Sequence, residues 1–236
     1  MLPRFGQREF GRRALGLGAL TLLVGLWSVT ALAHDVAAGD RAFVQATDGP
    51  AFLPFLYLGA KHMVTGYDHI LFLIGVVFYL ARLRDVVLYV SMFTIGHSTT
   101  LLAGVLLDVQ ANAHIVDAVI GLSVVYKGVE NIGGFRKAGL SIDPRAAVLV
   151  FGLVHGLGLA TKLGEHGLSR NGLLTNLIGF NLGVEIGQVL ILLLVVTLLG
   201  LWRGSVSFRR GAFAANLALI AGGLFLTGAQ IMEYLA

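Results

Sequence analysis

Of 236 residues, 56% are hydrophobic and only 13% charged, about half the charged share of an ordinary soluble domain. The formal net charge of +4 comes without a basic stripe interleaved with aromatic residues, which sets nucleic-acid binding aside. No cysteine is present, so disulfides, thiolate metal sites and iron–sulfur clusters are excluded, and any metal must be held by nitrogen and oxygen.

The N-terminus comes first. Arg4, Arg8, Arg12 and Arg13 precede an apolar run over 14–32 that closes on Ala31-Leu32-Ala33. A basic region, an apolar stretch and a small-x-small end predict a signal peptide over 1–33, cleaved after Ala33; an uncleaved first transmembrane helix is the competing reading. The pair Arg12-Arg13 hints at twin-arginine export, although the rest of that motif is poor. Cleavage would make His34 the mature N-terminus, where an α-amine and an imidazole together can chelate a divalent metal. A polar tail with one histidine is the simpler account. The segment 34–51, with Asp40, Arg41 and Asp48, reads as a periplasmic linker.

The remainder, 52–236, reads as an all-α polytopic membrane domain of six transmembrane helices. Its first apolar stretch, 52–81, is interrupted by His62, Thr65, Gly66, Asp68 and His69. At about 1.5 Å per residue one helix of that length overshoots a ~30 Å hydrocarbon core. A short entry segment near 52–60 followed by a span to about 81 is therefore expected. Further spans are predicted over 86–107, 114–134, 146–162, 173–202 and 212–235. Thirty-two glycines suit such a bundle, because small residues let helix backbones approach in lipid.

Loop charges orient the spans. Arg82 and Arg84, then Arg136, Lys137 and Arg145, then Arg203, Arg209 and Arg210 occupy alternate loops, whereas the loops between them carry little charge. The basic loops should face the cytoplasm and both mature termini the periplasm. A multi-pass protein of a bacterial inner membrane is the expectation.

Ionisable groups at membrane depth are costly and mark function by default. His62 and His69 lie seven apart, about 10 Å along a regular helix, so they reach one ion only if the helix breaks, and Gly66 is where it can. Asp68 can ligate directly or orient an imidazole. His97 stands among hydroxyls in the second span and His155 among glycines in the fourth. The third span holds Asp117, Ser123, Tyr126, Lys127, Glu130 and Asn131; the fifth holds Asn176, Asn181, Glu185 and Gln188, the last three on one face. Lys127 and Glu130 fit a simple ion pair, and Ser98, Thr99, Asn176 and Gln188 fit interhelical hydrogen bonds equally well. Four histidines with Asp68 and Glu185, and no thiolate, suit nickel, cobalt, zinc or iron.

At these residues the sequence resembles the HupE/UreJ family of nickel and cobalt permeases. The resemblance rests on His62-x5-Asp68-His69 with Gly66 between, on Phe93-Thr94-x-x-His97-Ser98-x-Thr100-Leu101, on Phe151-Gly152-Leu153-x-His155-Gly156-x-Gly158, and on Asn181-x-Gly183-x-Glu185-x-Gly187-Gln188. It covers about 55–190. It implies secondary uptake of Ni2+ or Co2+ for hydrogenase or urease maturation, with no tightly bound cofactor. It further implies a main metal site of His62, Asp68 and His69, to which His97 and His155 contribute. Met63 after His62, where hydrogenase-linked members carry proline, and a histidine-poor tail depart from that pattern.

Other classes compete. His97 and His155 could be axial ligands of a haem b. A membrane enzyme is disfavoured because neither H-E-x-x-H nor G-x-S-x-G occurs. A metal-delivery or scaffolding protein stays open. No G-x-x-x-x-G-K-[ST] occurs either, so transport driven by the membrane potential or by protons is the expectation.

Overall fold

The computed structural model describes residues 38–109, 111–165 and 168–236; the expected signal peptide and His34 lie outside them. Among these residues the regular elements are helices: α1 (Ala38–Ala46), α2 (Phe52–Thr65), α3 (Tyr67–Val77), α4 (Leu83–Leu106), α5 (Ala113–Asn131), α6 (Gly134–Lys137), α7 (Pro144–Glu165), α8 (Leu173–Arg203) and α9 (Val206–Leu235). Helices α4, α7, α8 and α9 are long and apolar enough to cross a membrane. Helix α5 has 19 residues but carries Asp117, Lys127 and Glu130.

The first apolar stretch departs from expectation in one respect. Its opening piece is no short entry segment: α2 continues to Thr65, and the break falls at Gly66, whose backbone is extended at φ −74° and ψ 99°. The Gly66 N–H closes α2 on the His62 carbonyl at 2.8 Å. Any residue adopts that backbone, so what glycine supplies here is space. A Cβ would stand 3.0 Å from His69 Nδ1 and 3.1 Å from Asp68 Oδ1. The linker expected over 34–51 likewise contains a helix, α1, tied to α2 by the 2.6 Å ion pair of Asp40 with Lys61. Val44 also buries into the core and Phe43 packs on Phe55, with ring centres 6.2 Å apart, but nine residues are too few for that pattern to stand out from a linker.

Three helix pairs build the core, and glycine makes each of them. On α8, a Cβ at Gly179, Gly183 or Gly187 would run into the carbonyls of Phe52, Leu56 or Ala60 on α2. On α7, a Cβ at Gly152 or Gly156 would strike the carbonyls of Phe93 or His97 on α4. Residue numbers rise together in both registers, so α2 runs parallel to α8 and α4 parallel to α7. In the third pair Gly121 meets Thr227 and Gly128 meets Asn216 and Ile220, so α5 and α9 are antiparallel. Small residues at such spacing permit backbone contact, which replaces the hydrophobic drive that lipid removes.

Polar side chains stitch the pairs together. Asn131 Nδ2 donates to the Gly75 carbonyl (2.9 Å) and to Asn216 Oδ1 (2.8 Å), joining α3, α5 and α9. Asn176 Oδ1 accepts from the Ala51 N–H (2.6 Å) while its Nδ2 donates to the Gly49 carbonyl (3.0 Å), fixing the chain entering α2 against α8. Arg203, at the end of α8, donates to the carbonyls of Val77, Phe78 and Leu80 at 2.5–3.1 Å. It thereby satisfies the C-terminal acceptors of α3, which a helix cannot satisfy alone.

Candidate metal centre

The break at Gly66 brings His62 and His69 together. In a continuous helix these rings would stand about 10 Å apart; here their centres are 5.1 Å apart. His69, in the first turn of α3, is the hub. Its ring centre lies 5.0 Å from that of His155 and 6.0 Å from that of His97. The close approach of α4 and α7 at Gly152 and Gly156 puts His97 and His155 on the same side of that pair. His69, His97 and His155 are only 3%, 1% and 1% exposed.

Hydrogen bonds orient two of the rings. Asp68 Oδ1 accepts from both the backbone N–H and the Nδ1–H of His69, each at 2.9 Å. His155 Nδ1 donates to the Phe151 carbonyl at 2.7 Å. Each bond places the proton on Nδ1 and leaves the lone pair on Nε2, as in histidines that bind metal. The Nε2 atoms of His62, His69, His97 and His155 are all buried and have no hydrogen-bond partner. Asp68 also sits in the first turn of α3, where the helix dipole favours negative charge.

Orphaned buried nitrogens are expensive, and four of them in one place call for a partner. A first-row metal lies about 2.0–2.1 Å from an imidazole nitrogen, hence about 3.2 Å from the ring centre, so two rings sharing an ion have centres roughly 5–6.5 Å apart. The separations of 5.0, 5.1 and 6.0 Å around His69 fall in that range. Among the described residues no group of three or more His, Asp or Glu side chains is placed so that it could hold a metal ion as the rings stand.

Aromatic rings wall the cluster. Phe93 packs on His69, His97 and His155, Phe72 on His155, and Phe180 on His62. His69 and Phe93 both pack on His97 and on His155.

Glu185 is placed elsewhere. It lines a groove of about 570 Å³ between α4 and α8, together with Ser91, Thr94 and Gln188 among Leu and Val side chains. Gln188 Oε1 accepts from Thr94 there at 3.1 Å. The structure thus gathers His62, Asp68, His69, His97 and His155 and sets Glu185 at the groove. The Lys127–Glu130 pair forms as expected, at 2.5 Å. What sequence reasoning passed over is the aromatic wall, whose phenylalanines carry no chemical signature of their own, and the pairing of Lys162 with Asp117 across two helices.

A family model described as HupE / UreJ protein matches residues 38–236. No curated protein and no solved structure matches the chain.

Proposed function

Because the chain belongs to the HupE/UreJ family, we propose that it is a secondary transporter of a divalent transition-metal cation, Ni2+ or Co2+, in a bacterial inner membrane. The observation that carries this reading is the set of four buried, unpartnered Nε2 atoms around His69. Neutral imidazoles with a carboxylate and no thiolate match the preference of borderline divalent ions. The cation is cargo, and its ligands are His62, His69, His97 and His155, with Asp68 orienting His69 or joining as a ligand itself. Glu185, on the α4–α8 groove, serves as a further carboxylate only after rearrangement.

Six passes fit the helix registers. Counting α2 with α3 as one broken pass, alternation makes α2 and α8 parallel, α4 and α7 parallel, and α5 and α9 antiparallel, the directions the glycine contacts have. With Arg82, Arg84, Arg136, Lys137, Arg145, Arg203, Arg209 and Arg210 on the cytoplasmic side, the membrane potential draws a dication inward by roughly 4.6 kcal/mol per 100 mV. Supply of metal to hydrogenase or urease maturation is the physiological link the family suggests.

The experiment is uptake of radiolabelled Ni2+ by cells expressing the wild type or His69→Ala, with Co2+ and Zn2+ as competitors and membrane insertion of both proteins verified. Expression-dependent uptake that His69→Ala abolishes supports the reading. Wild-type protein in the membrane without uptake sinks it, and Ni2+ binding by that same protein would then identify a metal-delivery partner instead.

A further inference from the structure

Helix α7 carries a second polar group on the side of His155. Lys162 follows it by seven residues, two turns or about 10 Å along the same face. The Lys162 ammonium is bonded to Asp117 Oδ2 of α5 at 2.7 Å, with the two side chains 24% and 11% exposed. The second oxygen, Asp117 Oδ1, is buried and has no hydrogen-bond partner. It stands over Gly158, where a Cβ would be only 3.6 Å away. Gly158 is one turn beyond His155 on α7, so this oxygen lies about one helical turn from the histidine cluster.

This arrangement is odd for a purely structural pair. A half-buried ion pair contributes little to stability unless its spare lone pairs are satisfied, and here one carboxylate oxygen is left bare. A fixed positive charge beside a cation path also opposes the cargo. Both oddities resolve if the lysine is a stand-in for the cation. We propose that Asp117 and Lys162 form an electrostatic gate at the entrance to the histidine cluster: the ammonium occupies Asp117 until a divalent cation displaces it and takes the carboxylate as a transient ligand.

The gate rests on the transport reading, whose charge distribution puts the C-terminal end of α7 at the periplasmic face. A displaced Lys162 swings towards water, since it is already a quarter exposed, and returns to Asp117 once the ion has moved down to the imidazoles. The bond to Asp117 neutralises the lysine at rest, so the entrance repels a dication less than a bare ammonium would.

The test compares Lys162→Gln, Asp117→Asn and the double variant with the wild type, measuring KM and maximal rate of Ni2+ uptake together with equilibrium Ni2+ binding to the purified proteins. Lys162→Gln frees the carboxylate and removes a positive charge, so KM and Kd should fall by roughly fourfold or more. Asp117→Asn leaves the ammonium uncompensated and removes the ligand, so both constants should rise by a similar factor. Opposite shifts alone would follow from two charges acting at a distance, so the double variant decides: the gate predicts that Lys162→Gln lowers Kd far less in the Asp117→Asn background, where it frees no ligand, whereas a structural pair acting only through its charge gives additive shifts and overturns the gate. Unmoved constants, or shifts in the same direction, overturn it. If Asp117→Asn does not insert, Lys162→Gln decides alone: an unchanged Kd overturns the gate. Non-additive Kd shifts of this kind in a protein that takes up no Ni2+ would uphold the gate and remove only the transport reading.

Discussion

His155 donates its Nδ1 proton to the carbonyl oxygen of Phe151, 2.7 Å away and one turn back on the same helix. That bond uses an acceptor already engaged in the helix, so it costs the fold little, and it leaves Nε2 bare on a ring whose centre is 5.0 Å from that of His69. Asp68 does the same for His69 from the first turn of a different helix. Two imidazoles are thus fixed with the proton on Nδ1 and Nε2 bare, by groups that belong to their own elements.

Removing the carboxylate should therefore loosen the site without emptying it. Asp68→Asn keeps the shape of the side chain but loses the charge-assisted bond, and the loss of such a partner typically costs 10–100-fold in metal affinity. Ni2+ titration of purified protein checks this; an unchanged Kd would mean that Asp68 does not orient His69.

Acid should weaken binding. Each Nε2 lone pair must be free to accept a metal, and protonation to imidazolium removes it, so metal and proton compete for the same atoms. Ni2+ affinity should therefore fall as the pH is lowered, more steeply the more rings take part. Equilibrium binding in detergent reads this free of any proton coupling of transport. Affinity that holds down to the pH at which the protein unfolds would exclude the rings as ligands.

The glycine seams should be intolerant of a single methyl. Gly183→Ala on α8 and Gly156→Ala on α7 each drive a Cβ onto a facing carbonyl, and overpacking of this kind costs about 1–3 kcal/mol. Gly200→Ala, where nothing lies within 4 Å, should instead be neutral or favourable by up to about 1 kcal/mol. Thermal unfolding in micelles should order the three variants in that way.

Arg203→Ala deprives three carbonyls at the end of α3 of their donor. A charged hydrogen bond to a buried acceptor is worth about 1.5–3 kcal/mol, and the bonds share one side chain, so a loss on the order of 3 kcal/mol is expected. Arg203→Lys, with a compact ammonium in place of a fork, should recover only part of it. Full recovery by lysine would show that charge alone caps α3.

Much of the centre was legible from residue type. Gly66 between His62 and His69 marked the break, because seven residues of regular helix cannot bring two rings to one ion. His97 and His155 stood out as costly groups in apolar spans. Their convergence was not legible, since it depends on α4 and α7 lying parallel in contact, and the partner of Gly156 is a backbone carbonyl, which is the same for every residue. Glu185 shows the limit of depth alone: read into the set by its place along the chain, it lines the groove between α4 and α8. Depth could be read along the chain; azimuth could not.

The helix pairing also has a mechanical consequence. Inside the α4/α7 pair, carbonyls sit where added methyl groups would clash, so sliding or rotation is resisted at every glycine. Between α4 and α8 the groove offers no such interlock. A shear of α4 with α7 against α2 with α8 is accordingly less hindered than sliding within either pair. It would move His97 and His155 as one body relative to His62, opening or closing the coordination sphere by changing distances between pairs and none within them.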